Sequence, residues 1–203
     1  GEAGLGAELL STDDPVRARK IAEHLNQLNR ERQAIELAVL EQAQAQVDER
    51  GDITQKLVLL VANPGWHPGV IGIVAARLKE KYNRPCCVIG FDDNGIGKAS
   101  GRSVAGVDLG AAVIAAKQKG ILINGGGHKM AAGFSVAADQ LAELDAFLNA
   151  HVATQLNGAP FVPELRVDGV VSAGGLSLPL VEKLSMMAPF GSGNAEPRFV
   201  LPD

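Results

Sequence analysis

The most constraining feature of this sequence is a strand, helix and strand pattern between residues 57 and 91. Residues 57–61 and 86–91 are nearly continuous apolar runs, and residues 70–78 between them keep a helical spacing. A helix that connects two such strands is typical of a parallel βαβ unit, and strands without polar alternation are usually buried on both faces of their sheet. The pattern therefore predicts an α/β fold.

The segments after residue 91 are expected to extend this sheet. Asp92-Asp93-Asn94-Gly95 predicts a tight turn into a strand over 96–104, and this turn chemistry explains the adjacent carboxylates better than a metal site does. The remaining pattern predicts a helix over 108–119, a short strand over 121–123, a glycine loop, a strand over 131–136 and a helix over 138–155. We expect a mixed, mostly parallel sheet.

A long helix precedes the α/β segment. Asp14 and Pro15 form a helix start, and apolar residues then recur at helical spacing as far as Val39. Gly51 is expected to end this helix. A polar-rich helix of this length with a narrow apolar stripe is typical of a connection between domains, so part of its partner is expected outside this chain.

Three regions follow from these patterns. Residues 1–51 are predicted to be a connecting helix, residues 52–157 an α/β domain, and residues 158–203 a linker with the start of a further β domain. Within the last region we expect a strand over 165–171 and a short helix over 178–187.

Composition is typical of globular proteins, with 46% hydrophobic and 21% charged residues. No apolar run approaches the roughly 20 residues that cross a bilayer, and the N-terminus lacks the residue order of a signal peptide. Cys86 and Cys87 are adjacent within an apolar run, which predicts buried thiols rather than a disulfide or a CxxC metal site. We therefore predict a cytoplasmic protein without a membrane segment.

Charge is distributed unevenly along the chain. The net charge is −4, yet the segment from Ala62 to Ser135 holds nine Lys and Arg against four Asp and Glu. A basic face on an acidic protein can bind a phosphate chain, because local sign matters more than the total charge. A solvated surface is the alternative interpretation.

Two clusters in the basic segment are candidate phosphate sites. Gly125, Gly126 and Gly127 precede His128, and consecutive glycines can direct backbone N–H groups at one anion while the imidazole donates another hydrogen bond. A simple turn between two strands is the alternative. The second cluster places Arg102 between Ser100 and Ser103, and a guanidinium contacts two phosphate oxygens at once. An arginine on a solvated strand edge is the commoner case.

A third candidate is the loop that holds Trp66 and His67, at the carboxyl end of a predicted strand, where α/β proteins bind ligands. Trp66 can stack on a base or pack against the next helix. The sequence carries no Walker loop, no GxSxG elbow and no Asp and His cluster at metal spacing. The residues alone therefore favour a binding domain without a metal site or cofactor of its own.

Five segments together resemble one known family. Residues 66–78 (WHPGVIGIVAARL), 97–104 (GKASGRSV), 106–112 (GVDLGAA), 125–134 (GGGHKMAAGF) and 188–197 (APFGSGNAEP) are similar, in this order, to the RecJ family of bacterial single-strand-specific DNA exonucleases. This family belongs to the DHH phosphoesterase superfamily. The resemblance covers essentially the whole chain, and Ala195 departs from it where the family usually has proline.

The resemblance implies a function for the intact protein. It implies degradation of single-stranded DNA from the 5′ end in recombination and repair, with Mn²⁺ or Mg²⁺ held by an N-terminal DHH domain whose motifs this sequence lacks. The chain then corresponds to the connecting helix, the DHH-associated domain and the approach to an OB-fold, and it is expected to be inactive by itself.

The resemblance also implies roles for the candidate residues. Arg102, Ser103 and His128 are expected to contact phosphates near the scissile bond, His128 as a catalytic group. The remaining expected contacts to single-stranded DNA are Ser100, Gly125, Gly126, Gly127, Trp66 and His67. Two alternatives stay open: a DHH-family phosphodiesterase for short oligoribonucleotides or cyclic dinucleotides, and a non-catalytic RNA-binding module of the kind appended to alanyl-tRNA synthetase.

Overall fold

The computed structural model describes residues 3–51, 53–162 and 165–202. It divides the chain into two compact units, with the division after Phe161. The predicted start of the α/β domain falls on Asp52, which lies outside the described residues. The three predicted regions are therefore kept as a prediction, and the two units are described separately.

The first unit begins with two helices, α1 (Ala3–Ser11) and α2 (Pro15–Glu49). The Asp14 carboxylate caps α2 by accepting hydrogen bonds from the N–H groups of Val16 and Arg17, and Gly51 follows the helix with a φ of 78°. Both predicted ends are thus confirmed. The buried residues of α2 lie mainly in its C-terminal half, at Glu36, Val39, Leu40, Ala43 and Val47.

A five-stranded sheet follows, with the strand order β1-β2-β3-β5-β4. Its strands are β1 (Leu59–Pro64), β2 (Cys86–Phe91), β3 (Ile96–Arg102), β4 (Asn124–His128) and β5 (Ala131–Ala137). The helices α3 (Pro68–Tyr82), α4 (Leu109–Gln118) and α5 (Leu141–Leu156) connect or follow them. The α/β fold is confirmed.

The prediction of a mostly parallel sheet is wrong. Only β1 and β2 pair in parallel, while β2 with β3, β3 with β5 and β4 with β5 are antiparallel. The reason lies in the connections, because a parallel pair needs a crossover and only the segment that contains α3 supplies one between neighbouring strands. The turn at Asp92–Gly95 and the turn at Lys129–Met130 are too short for anything but antiparallel neighbours.

The sheet carries a different hydrophobic core on each face. On one face, α4 and α5 pack over all three central strands, with Leu109, Phe134 and Leu144 among the buried residues. On the other face, the buried residues of α2 and α3 pack against β1 and β2 only, around Val61 and Val88. Within the described residues of the first unit, this second core does not extend over β5 and β4 and leaves them uncovered on this face, and α3 borders the uncovered area at β3.

The two edges of the sheet differ. Along β1, the Gln46 amide donates to the Ala62 carbonyl and accepts from the Ala62 N–H, at 3.0 and 3.2 Å. The Asn149 amide oxygen accepts from the N–H groups of Leu57 and Val58 just before this strand, at 2.8 and 3.0 Å. Side-chain amides thus bond to part of this edge, whereas within the described residues β4 pairs only with β5.

Two further local predictions can be compared with the structure. Residues 121–123 are not a strand, because β4 begins only at Asn124. Ile121 and Leu122 are instead buried in the α4 and α5 core. Cys86 and Cys87 are free, fully buried thiols of β2, as predicted. Burial raises the pKa of Cys87 to about 12.

The second unit holds a small parallel pair, β6 (Gly169–Val170) and β7 (Phe199–Val200), with helix α6 (Leu178–Ser185) between them. The expected strand over 165–171 is thus reduced to two residues, and the expected short helix is confirmed. An OB-fold is not seen in the described residues of this unit. Across the described residues of both units, no helix is long and apolar enough to cross a membrane.

Candidate nucleic-acid interface

The uncovered face of the sheet, from β3 across β5 to β4, brings the sequence-predicted candidates together. Strand alternation directs Lys98, Ser100 and Arg102 to this face, because the intervening residues of β3 pack into the α4 and α5 core. The strand register then sets three rows across the sheet: Arg102–Ala131–His128, Ser100–Gly133–Gly126 and Lys98–Ser135–Asn124. We call these nine residues the open face.

Arg102 is held in place by its own strand. Its Nη1 donates to the Ser100 hydroxyl at 3.1 Å and to the Gly101 carbonyl at 2.9 Å. The other guanidinium nitrogens have no hydrogen-bond partner within the described part of the chain. A guanidinium fixed through one nitrogen can still donate two bonds to a phosphate through the others.

His128 ends β4 at the other side of the first row. It lies two strands from Arg102, which places the two Cα atoms about 10 Å apart. The imidazole is exposed and makes no hydrogen bond among the described residues. The pair can therefore contact one phosphate group from two sides, or two neighbouring phosphates.

Lys98 adds a second cation that the sequence-based prediction missed. Its Nζ donates to the Ser135 hydroxyl at 3.3 Å, and the side chain is exposed. Lys98 and Arg102 are four positions apart on β3, which corresponds to about 13 Å along the strand. The signal in the sequence was the alternation of residues 98, 100 and 102, which becomes visible only once 97, 99 and 101 are known to be buried.

The middle of the open face has almost no side chains. A β-carbon at Gly126 would meet no atom within 4 Å, and one at Gly133 would meet only the Ala99 carbonyl oxygen, at 3.7 Å. These two glycines face each other across β4 and β5. A ligand backbone can therefore approach the sheet closely between the flanking cations.

The glycine cluster is a β-strand, and this corrects the proposed anion-binding loop. None of Gly125, Gly126 and Gly127 has a positive φ, so their N–H groups do not converge on one anion. Two of the glycines serve packing instead. A β-carbon at Gly127 would lie 2.5 Å from the Ala131 oxygen, and one at Gly125 would lie 2.9 Å from Val113 of α4.

A groove runs between the open face and helix α3. The β3 wall consists of Lys98, Ser100 and Arg102, and the α3 wall of Pro68, Gly69, Ile71, Gly72, Ile73 and Ala76. The two walls meet at Gly72, where a β-carbon would stand 3.1 Å from Ser100 Oγ and 3.2 Å from Arg102 Nη2. The absence of a side chain at this position allows the close approach.

Three predicted contacts are not part of this face. Trp66 is only 4% exposed, packs in the α2 and α3 core, and donates from Nε1 to the Gln42 side chain at 2.7 Å. The His67 Nδ1 accepts from the Gly69 N–H at 3.0 Å and so caps α3. Ser103 is 1% exposed and donates to the Val107 carbonyl at 3.0 Å. Trp66 and Ser103 thus have structural roles in this chain, while His67 is exposed and its contact to a strand stays a prediction.

The electrostatics of the open face favour an anion. Neither Lys98 nor Arg102 forms an ion pair with a carboxylate among the described residues. Asp92, six positions before Lys98, accepts bonds from the Asn94 and Ile96 N–H groups and forms the predicted turn. Over the described part of the chain, no group of three or more His, Cys, Asp or Glu could hold a metal ion.

The segment that contains the open face matches a known domain family. Residues 54–154, the segment that contains the sheet and the open face, match the DHHA1 domain. The chain contains a DHHA1 domain. Gly72, Gly126, Gly133 and the β3 cations all lie within the matched segment of this domain.

Individual relatives match nearly the whole chain. The chain is 32% identical over 201 residues to the single-stranded-DNA-specific exonuclease RecJ of Bacillus subtilis, and 34% identical over 202 residues to RecJ of Dickeya dadantii. These matches cover 98% of the chain but only 25% and 35% of the relatives, so the chain spans between a quarter and about a third of their length.

A solved structure has the same fold. RecJ from Thermus thermophilus, crystallised in complex with Mn²⁺, superimposes with a TM-score of 0.84 at 31% identity, over 99% of this chain and 29% of that one. A second crystal structure of the Thermus protein contains Mg²⁺ and gives a TM-score of 0.82. The fold of the DHHA1 domain and its flanking helix is thus the one that RecJ uses.

Proposed function

We propose that this chain is the strand-binding part of a RecJ-like exonuclease that degrades single-stranded DNA in the 5′ to 3′ direction during recombination and repair. The open face carries the proposal, because the row that ends in Arg102 and His128 lies beside a row, Ser100–Gly133–Gly126, without bulky side chains. In this proposal the open face binds phosphates without reading sequence, since backbone contacts position a strand but do not specify its bases.

Hydrolysis is assigned to a DHH domain of the same protein outside this chain. The open face offers one imidazole, two cations and no carboxylate, a donor set that does not fit a divalent metal. Mn²⁺ or Mg²⁺ therefore belongs to the DHH domain, and the second unit of this chain leads to an OB-fold. The protein acts in the cytoplasm.

The chain's own residues then act on the substrate electrostatically. Arg102 and Lys98 neutralise phosphate charge, and His128 donates a hydrogen bond to a phosphate oxygen near the scissile bond. Fixed donors of this kind stabilise developing charge without having to reorganise during the reaction. Arg102 meets this requirement because β3 already holds its Nη1.

Salt-dependent binding tests the proposal. The 203-residue chain is titrated against a fluorescent oligothymidylate over a salt series, with duplex DNA and short RNA as competitors. We expect single strands to bind more tightly than duplex, and the slope of log K against log salt to fall by about 0.7 for each phosphate contact removed. Arg102→Ala and His128→Ala should weaken binding, and Arg30→Ala, on the exposed part of α2, should not.

Three results would contradict the proposal. One is equal binding to duplex, and another is binding that is unaffected by both substitutions. The third is metal-dependent nucleotide release by the chain alone that Arg102→Ala abolishes, because hydrolysis would then reside in this chain. Preference for di- to pentanucleotides or for structured RNA would instead support the two alternative functions.

A further inference from the structure

The groove beside the open face has two chemically different walls. On the β3 wall, Lys98, Ser100 and Arg102 present two cations and a hydroxyl. On the α3 wall, Pro68, Ile73 and Ala76 present aliphatic surface. An extended single strand has the same division, with charged phosphates on one side and weakly polar bases on the other.

The α3 wall is formed by helical spacing. Gly69, Gly72, Ile73 and Ala76 follow one another at intervals of three, one and three residues, which places them on one side of the helix. The opposite side of α3, with Val70, Val74 and Leu78, is buried against α2 and the sheet. Ile73 is the large apolar residue of the exposed side, with 36% of its surface accessible.

The groove is aliphatic rather than aromatic. Its described lining contains no aromatic side chain, and the single Trp of the chain, Trp66, is buried in the α2 and α3 core. Proteins that bind single strands without sequence preference usually stack bases on aromatic rings. Here the surface opposite the cations Lys98 and Arg102 consists of an isoleucine and an alanine. These side chains can contact a base only through nonpolar surface, without ring stacking or hydrogen bonds.

We propose that α3 is the base-contacting wall of the strand-binding groove and that Ile73 is its principal contact. This inference rests on the proposed function. The strand lies along β3 with successive phosphates near Arg102, Ser100 and Lys98, and its bases turn toward Ile73 and Ala76. Gly72 lies at the floor between the walls, where the sugars pass.

The inference is tested by removing the bases and the isoleucine separately. Binding of an oligothymidylate and of an abasic strand of equal length is measured for the parent chain, Ile73→Ser and Ile114→Ser. Ile114 is a matched control, because it is an exposed isoleucine, 43% accessible, on α4 at the other face of the sheet. Lys98→Ala is included as a variant of the opposite wall, with Lys119→Ala, on the α4 side, as its control.

Ile73→Ser should weaken binding of the oligothymidylate about five- to tenfold, because several methylene groups leave the contact, and it should leave the abasic strand unchanged. Lys98→Ala should weaken both strands and reduce the salt slope by about 0.7. Both control variants should bind like the parent.

The outcomes separate the two proposals. If Ile73→Ser weakens both strands equally, or neither, the base-contacting role is wrong even though the strand still binds through Arg102. If the parent chain does not bind the oligothymidylate, the proposed function itself fails. Circular dichroism of Ile73→Ser excludes unfolding as the cause of a loss that is specific to strands with bases.

Discussion

Gly72 of α3 lies so close to Ser100 of β3 that a β-carbon at residue 72 would stand 3.1 Å from the Ser100 hydroxyl oxygen. The same β-carbon would stand 3.2 Å from Nη2 of Arg102. The groove therefore reaches the guanidinium only because residue 72 lacks a side chain. Stability and binding are expected to respond in opposite directions to a change at this position.

Gly72→Ala should stabilise the chain and weaken strand binding. Alanine in a helix interior is favoured over glycine by about 0.5–1 kcal/mol, and the neighbouring atoms belong to side chains that can shift. That shift moves Arg102 away from its position on β3, so affinity for an oligothymidylate should fall. Thermal unfolding and fluorescence anisotropy measure the two effects. A variant that is both less stable and normal in binding would contradict the expectation.

Two glycines of β4 should respond differently to alanine. A β-carbon at Gly127 would lie 2.5 Å from a backbone oxygen, so Gly127→Ala should lower the free energy of unfolding by about 1–3 kcal/mol. A β-carbon at Gly126 meets nothing within 4 Å, so Gly126→Ala should fold normally. Denaturant unfolding compares the pair, and equal stability of the two variants would show that β4 is not packed as described.

Glu36 is a buried carboxylate with two cationic partners. Its residue is 3% exposed. Arg77, on α3, places its Nη2 2.7 Å from the carboxylate, and Arg32, in the preceding turn of α2, also pairs with it. Arg32→Ala and Arg77→Ala should each lower the free energy of unfolding by about 1 kcal/mol. The double variant leaves a buried charge unpaired and should lose about 3 kcal/mol or more.

A double-mutant cycle in urea measures this coupling. Arg19→Ala with Arg30→Ala is the control, because both residues are exposed on the same helix. Simple additivity of the Arg32 and Arg77 losses would show that Glu36 keeps another partner or is hydrated.

Trp66 should be an internal probe that does not detect DNA. Because it is the single Trp and is buried with its Nε1 bonded to Gln42, its emission should be blue-shifted and poorly quenched by acrylamide. Saturation with oligothymidylate should leave the emission unchanged. Strong quenching by the strand would instead indicate that the tryptophan stacks on a base. Trp66→Phe should lower stability and leave the salt slope of binding intact.

The thiols of β2 should be unreactive and should make the fold sensitive to alkali. Burial raises the pKa of Cys87 from its ordinary value of 9.0 to about 12, so the unfolded chain releases this proton at lower pH than the folded chain does. The contribution of this thiol to stability is complete below pH 9 and is lost as the pH rises toward 12. Urea unfolding between these values measures the decline, and Cys87→Val should reduce it. Rapid labelling of the folded chain by a thiol reagent at pH 8 would contradict the expected burial.

The sequence was sufficient for those elements whose signals are local. The start of α2 at Pro15, its end before Gly51 and the strand Cys86–Phe91 follow from capping, glycine and apolar runs, and the structure confirms them. The direction of the sheet was only partly local. Short turns require the β2–β3 and β4–β5 pairs to be antiparallel, whereas the β3–β5 pair joins segments that are distant in the chain.

The candidate site was predictable in its residue types but not in its geometry. Ser100, Arg102 and His128 were identified from their chemistry, and the strand register places them on one face. Lys98 was missed because the alternation along β3 is visible only once the burial of its neighbours is known, and Gly72 because its importance depends on the contact between α3 and β3. Trp66 and Ser103 were included because a sequence does not show that a polar atom already has a buried partner.

The contrast between the two sheet edges limits how this protein can associate. Gln46 and Asn149 bond to backbone groups of Ala62, Leu57 and Val58 along the β1 edge, which hinders a foreign strand from adding there and leaves β4 as the more accessible edge. A sheet that extends at one end alone can join another copy once, edge to edge, and the joined sheet then ends in a sealed β1 edge at both ends. Growth into a fibril needs two free edges in every molecule, and two side-chain amides remove one of them.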